Sequence, residues 1–268
     1  MNTFMKIQDK NHLVSVIIVN YNNAPLLDQS INSILNQTYK NIEIIVVDDI
    51  STDDSIKKLN KYKNKITIIK NKNKTIHGSY NQINSYYNGY LKSKGKYLFF
   101  LDSDDFFKTN KINFIINKFI KNNFDLIFDL PIFKFKKKII KNKFKQKKFI
   151  FSSWPRFSPQ SCISLRRDCA KEIFKNVRIK KFESIWFDFR IALYYFLKYK
   201  EITIINKHLT YYRQLDNSAS KNYKLFSKNW WHRRAQAHKI VDFYCIKLNK
   251  SKKINLDKFI TFLVVFFF

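Results

Sequence analysis

Hydrophobic positions along this chain follow two rhythms. In its first half, short continuous runs of β-branched and aromatic residues alternate with segments whose apolar positions recur every three or four residues. Leu13–Val19 is the first run, and its lack of polar alternation predicts a strand covered on both faces. Pro25 then stands where a first helical turn tolerates a missing N–H, and Leu27, Ile31, Ile34 and Leu35 follow on one face of a helix. Ile42–Val47, Ile66–Ile69 and Tyr97–Leu101 predict three further buried strands. A short helix between the second and third carries Ile56 and Leu59 inward. Ser51 and Thr52 are expected to cap it, with Asp53 and Asp54 at its positive end. A longer helix is striped by Tyr80, Ile83, Tyr87, Tyr90 and Leu91.

This alternation predicts an α/β fold with a mostly parallel sheet flanked by helices. Ligands of such sheets bind beyond the carboxyl ends of the strands. Tyr21, the Asp48-Asp49 pair and Asp102-Ser103-Asp104-Asp105 all fall there. Three carboxylates within four residues repel one another unless a cation or a donor-rich ligand joins them. A hard divalent metal that keeps several waters and shares a nucleotide's phosphates suits such a place. Taken singly, Asp48-Asp49 reads as an acidic helix start and the Asp102 cluster as a solvated turn. Their convergence on one sheet edge favours a site. The chain has three glycines, Gly78, Gly89 and Gly95, so neither a dinucleotide-binding fingerprint nor a P-loop can be written. Phosphate charge would then fall to a metal and basic side chains.

Four stretches in order resemble the family 2 glycosyltransferases: Val14–Asn22, Ser33–Tyr39, Ile44–Ser55 and Gly95–Asp105. A weaker match runs on through Trp186–Arg190 and Tyr211–Ser220. The resemblance implies a GT-A, nucleotide-diphospho-sugar fold. By it, Tyr21 lines the base pocket, Asp49 accepts from the nucleobase, Asp102 lies near the ribose, and Asp104 holds a divalent metal, Mn2+ or Mg2+. Asp105 is left as a supporting residue. An inverting transfer also needs one base for the acceptor hydroxyl. Asp188 is the candidate, flanked by aromatics ahead of the apolar stretch Ile191–Leu197, and Glu183 is the fallback. A partner for Arg190, or an ordinary charge at a helix start, is the competing role for Asp188. Three positions depart from the family pattern: Ile50 replaces the usual Gly, Tyr86-Tyr87 replaces Arg-Asn, and Leu215 replaces a His.

The second half is less regular. Residues 131–150 hold nine lysines and no acid, with Phe133–Lys136 alternating as on a half-exposed strand, and predict a solvated hairpin or flap. Ser153–Gln160 is a rigid aromatic loop suited either to an acceptor cleft or to packing. From about residue 226 the chain is basic and aromatic, with Trp230-Trp231 beside Arg233-Arg234 and an apolar end, Phe259–Phe268, too short to span a bilayer. Three segments follow: 1–125 for the nucleotide sugar, 126–225 for the acceptor side, and 226–268 as a C-terminal helical extension.

Composition alters this picture at two points. The 51 Lys and Arg against 20 Asp and Glu give a net charge of +31. Lysine, asparagine, isoleucine and phenylalanine are all over-used, so part of that charge is compositional bias. The rest suits an anionic membrane surface better than nucleic acid, since no recognition signature is present. Cys162, Cys169 and Cys245 are odd in number and lack metal spacing, as expected of thiols in a reducing compartment. The expected setting is cytoplasmic, with peripheral attachment to the inner face of the membrane. Expected partners are a nucleotide-diphosphate sugar and a saccharide or lipid-linked acceptor. The rival is a GT-A scaffold that has lost catalysis and serves as a basic nucleic-acid or membrane-surface binding protein.

Overall fold

The computed structural model describes residues 11–141, 153–216, 218–252 and 254–268. Its four N-terminal strands are β1 (Val14–Asn20), β2 (Ile42–Asp48), β3 (Thr67–Lys70) and β4 (Tyr97–Asp102). They pair in parallel in the spatial order β3-β2-β1-β4. Helices α1 (Ala24–Leu35), α2 (Ser55–Asn60) and α3 (Gly78–Lys92) connect them. Each expected strand is present, displaced at its ends by one residue at most. Register sets Asn20 beside Asp48 and Val19 beside Asp102, so the polar strand ends line up along one edge.

Past β4 the sheet gains strands that hydrophobic patterning did not resolve. These are β5 (Phe106–Phe107), β6 (Leu126–Lys134), β7 (Ile139–Ile140), β8 (Ile163–Arg166) and β9 (Thr203–Arg213). β8 enters antiparallel between β4 and β6, whereas β6 and β9 run parallel. The long ladders are therefore parallel, and the short insertions are not.

Side chains alternate across the strands and feed two apolar layers. Val14, Val16 and Ile18 face α1 and α4 (Lys111–Asn122), while Ile17 and Val19 face the layer built with α3, α5 (Arg167–Val177) and α6 (Phe187–Tyr199). A Cβ on Gly89 would lie 2.3 Å from Ile17. Its absence lets α3 approach the sheet closely and carries Gln82 and Tyr86 to the end of β4. Within the Ser33–Tyr39 stretch, buried Gln37 donates to the Lys108 carbonyl and accepts from the Ile112 N–H, which pins the turn behind the Asp102 cluster.

The α2 caps differ from expectation. Ser51 donates to the Asp48 carboxylate instead, and Thr52 bonds Asn22. Asp53 accepts from the first N–H groups of both α1 and α2, at Ala24 and Ser55. The strand-end turn outcompetes the helix for these hydroxyls, because it offers two acceptors already fixed by the sheet.

The hairpin expected in the lysine-rich stretch begins as β6 and β7, closed by Phe135 N–H to the Lys138 carbonyl. Residues 142–150 of that stretch, like 151 and 152, lie outside the described residues. The extension folds as α7 (Lys228–Lys247) and α8 (Leu256–Phe266), tied by Lys258 to Asp242 and Arg234 to Asp257. Among the described residues, no helix is long and apolar enough to cross a membrane.

Candidate active site

Asp102 ends β4, and a tight turn closed by Asp105 N–H to the Asp102 carbonyl brings three carboxylates together. Oxygens of Asp102, Asp104 and Asp105 lie within 4.8 Å of one another. Their partners differ. Asp102 accepts from Tyr86 Oη at 2.7 Å, from Gln82 at 3.1 Å and from Gln160. Asp105, fully buried, accepts from Ser161 Oγ at 2.6 Å and from the Arg213 backbone N–H at 2.8 Å. Asp104 receives no donor from another side chain among the described residues. Burial, then the neighbouring Asp102 charge, pushes its carboxyl up to about 7. Burial and both neighbours raise Asp105 further.

Among the described residues, one cation touches this group. Arg213 bonds the backbone carbonyl of Asp104 and the Gln29 side chain, with its guanidinium 4.8 Å over the Phe106 ring. Without a metal the cluster relieves its repulsion by holding protons, and the Asp104 carboxylate, which no other described side chain bonds, is its natural attachment point for a divalent cation. The donor set fits: one carboxylate is open, two are already oriented, and all the ligand atoms are hard oxygens.

A cavity of about 430 Å³ opens in front of the strand ends, lined by Tyr21, Asp49, Lys74, Gln82, Asp102 and Asp104 among others. Asp48 turns away and holds the β1–β2 edge through Asn20 and Ser51. Asp49 faces the cavity and accepts from Asn71 at 2.9 Å, and burial raises its carboxyl. Ile50 between them and Ser51 has φ 60°, the left-handed conformation a Gly would adopt freely. The turn thus takes a backbone shape that suits a Gly, with Ile in its place. Tyr21 stands half exposed at the rim, with Lys74 donating to its hydroxyl at 3.2 Å and lying 4.4 Å from its ring centre.

A second pocket of about 170 Å³ shares Gln82, Asp102, Asp104 and Trp186 with the first and adds Gln160, Asp188, Tyr212, Arg213 and Arg233. Asp188 sits in the first turn of α6, where burial pushes its carboxyl up to about 6 against the Phe189 N–H and the nearby Arg233 charge. Glu183 lies outside both pockets, exposed and bonded to Gln236. Arg190 does not pair with Asp188. It is fully buried and donates to five backbone carbonyls, those of Val177, Ile179, Lys181, Phe182 and Ile185. This fixes the loop that delivers α6 to the cleft.

Behind the carboxylates lies a second buried cation. Lys111 Nζ donates to Thr210 Oγ1 at 2.6 Å and to the Ser161 carbonyl at 2.8 Å, and pairs with Asp129 at 3.3 Å. Ser161 in turn bonds Asp105 and accepts from the Asp102 N–H at 3.1 Å. One serine thus couples the ion pair to both structural aspartates.

Sequence patterning missed Lys74, Gln82, Lys111, Arg213 and Arg233. For Arg213 a signal existed in the Tyr-Arg step at the end of the weaker family match. In the Ser153–Gln160 loop, Trp154 and Phe157 pack on Phe189, and Gln160 reaches the cleft. Of the departures, Tyr86 is fully buried, stacks on Phe187 and hands Asp102 a neutral donor.

A curled sheet with acidic strand ends opening into two joined pockets is the GT-A arrangement. The chain belongs to glycosyl transferase family 2, whose model matches residues 15–192. Over 102 residues it is 46% identical to the Escherichia coli UDP-Glc:alpha-D-GlcNAc-diphosphoundecaprenol beta-1,3-glucosyltransferase WfaP, covering 38% of this chain and 39% of that one. Its likeness to E. coli WfgD, named for the same reaction, is 33% over 120 residues, or 44% and 45% of the two chains. The chain thus spans less than half the length of these relatives. S. aureus TarS 1-349, solved with UDP-GlcNAc, superposes with a TM-score of 0.62 at 14% identity, covering 94% of this chain and 70% of that one. The mannosyltransferase PcManGT from Pyrobaculum calidifontis, solved with GDP-Man and Mn2+, gives 0.56 at 12% identity, with 96% and 71% covered.

Proposed function

We propose that this protein is an inverting, metal-dependent glycosyltransferase. It would move a sugar from a nucleotide diphosphate to a hydroxyl of a saccharide or lipid-linked acceptor, in synthesis of cell-envelope polysaccharide. The observation that carries this is the meeting of two pockets at Asp102 and Asp104, with Asp49 and Tyr21 on one side and Asp188 on the other. The solved complexes of TarS and PcManGT with nucleotide sugars support the donor class, and the names of WfaP and WfgD support a lipid-linked acceptor.

Each group has a role in this scheme. Tyr21 and Lys74 flank the nucleobase, Asp49 accepts from it, and Asp102 meets the ribose. Asp104 would hold Mn2+ or Mg2+, which supplies charge stabilisation to the departing diphosphate. Asp188 takes the acceptor hydroxyl's proton as that oxygen attacks the anomeric carbon from the face opposite the leaving group, which inverts the configuration. A carboxyl near 6 is ionised at neutral pH yet more basic than an exposed aspartate. The apolar outer side of α8, with Phe259 and Leu263 exposed, supports peripheral attachment to an anionic membrane.

The test is a thermal-shift screen of UDP-, GDP- and dTDP-sugars with and without manganese. One donor is expected to raise the melting temperature only with metal; no metal-dependent shift for any donor overturns the reading. Failure to float with anionic liposomes at low salt removes the membrane part alone.

A further inference from the structure

Arg233 is a cation in the wall of the second pocket, half-buried, one and a half turns into α7. No carboxylate forms an ion pair with it among the described residues. Its guanidinium packs 4.6 Å from the Tyr223 ring centre, and its neighbour Arg234 is the one that pairs with Asp257. Its charge reaches the Asp188 carboxyl across the pocket without a bond, and a cation so placed that has lost part of its water gains from an anion arriving with a ligand.

The start of α7 and the residues just before it carry an apolar surface one helical turn from Arg233. Leu225 and Phe226 are 63% and 65% exposed, and Phe226 packs 5.4 Å from Trp230. Lys228 Nζ bonds the Phe268 carbonyl at 3.0 Å, and Phe266 and Phe267 next to it stand largely in solvent. Trp230 and Arg233 share one helix face, about 5 Å apart along the axis. Asp188 and Arg233 thus share one pocket, and the apolar face of Phe226 and Trp230 adjoins Arg233 along the helix.

We propose that Arg233 binds the phosphate of an amphiphilic acceptor, a sugar joined through a phosphate or diphosphate to a long hydrocarbon chain. The sugar's hydroxyl then meets Asp188 and the chain lies on the surface of Phe226, Trp230 and Phe267. This rests on the transferase reading and adds the feature that selects the acceptor. The donor's diphosphate has the same chemistry. The pocket holding Arg233 contains Asp188 but neither Tyr21 nor Asp49, which favours the acceptor's phosphate.

Binding of fluorescently labelled farnesyl diphosphate tests this, measured on the full chain with UDP and Mn2+ present to fill the donor side. Labelled farnesol is the phosphate-free control. Wild type is expected to prefer the diphosphate. Arg233→Ala should weaken it on the order of tenfold, with farnesol unchanged and Arg233→Lys partly restored. Phe226→Ser with Trp230→Ser should weaken both lipids and leave inorganic pyrophosphate unaffected. Equal binding of both lipids by wild type overturns the proposal, as does an unchanged diphosphate affinity in Arg233→Ala. If Arg233→Ala weakens UDP–Mn2+ instead, the cation serves the donor and the proposal fails while the transferase reading stands. Loss of the transferase reading would show separately, as absence of any nucleotide-sugar shift.

Discussion

Asp49, Asp102 and Asp104 reach the cleft directly from the ends of parallel strands, whereas Asp188 arrives on a helix whose approach is set by a buried arginine bonded to backbone carbonyls. On the donor side, position comes from β-sheet register, and the cost is electrostatic: like charges gathered at one edge and raised in pKa. On the side of Asp188, position comes from a buried cation, Arg190, that donates directly to backbone carbonyls. In the proposed scheme the strand ends should therefore keep their fold when one carboxylate is lost, while the placing of Asp188 depends on a group that lines neither pocket.

The largest effect expected is on the donor side. Asp104→Ala removes the open carboxylate of the cluster and should lower transfer by about 10⁴-fold, several kcal/mol of leaving-group stabilisation. Relief of a carboxyl held near 7 should meanwhile leave the fold as stable or more so. Transfer assays with urea melts check both, and wild-type transfer would remove Asp104 from its role.

Asp188→Asn is next, at about 10³-fold in transfer with nucleotide-sugar affinity retained. Two pH readings sharpen it. Wild-type kcat/KM should fall below about pH 6 as the base protonates. Because burial raises this carboxyl in the folded state, its ionisation opposes folding above pH 6 and has no effect once both states are protonated, below roughly pH 4. The Asn variant should therefore gain stability at neutral pH and lose that gain in acid. A purely structural Asp188 would show lost stability along with lost activity.

Lys111→Met strikes the support behind the strand-end carboxylates. It leaves Asp129 buried without its cation and the Ser161 carbonyl without its donor, at a cost of about 3–5 kcal/mol. Lys111→Met with Asp129→Leu should recover much of that stability. If Ser161 is positioned by the pair, the double variant still binds Mn2+ more weakly than wild type by titration. Full metal affinity in the folded double variant would mean that the pair only fills space.

The two halves also differ in what the sequence disclosed. β1 to β4 and their acidic ends were legible because a run buried on both faces leaves no polar alternation, and a carboxylate ending such a run stands out, whether it faces the cleft as Asp102 does or braces the edge as Asp48 does. Asp102 and Asp104 gained further weight from lying beside Asp49 across the sheet. Lys111 and Lys74 were hidden by composition: among 51 basic residues, a single lysine in a helix or loop carries no signal. Arg190 was visible in Trp186–Arg190, but its five carbonyl partners depend on a loop conformation that no spacing encodes. β8 escaped because four residues inserted antiparallel between longer strands leave too short a pattern to separate from the helix that follows. Glu183 and Asp188, equally acidic in sequence, were separated by which of them the α6 start turns into the cleft.

Ile50 offers the smallest effect and the finest test of the donor side. A β-branched residue at φ 60° costs about 1–2 kcal/mol relative to an unstrained backbone, and Gly carries no such penalty but gives the unfolded chain more freedom. Ile50→Gly should therefore raise stability by a net of about 0.5–1 kcal/mol, read from the denaturation midpoint. Nucleotide affinity should stay within about twofold, since the bonds of Ser51 N–H and Oγ to Asp48 already hold the turn. A stability loss would show that packing of the Ile50 side chain outweighs its backbone strain. A rise in nucleotide affinity beyond that range would show that register alone does not aim Asp49, and that the donor side too is tuned by a residue that never meets the ligand.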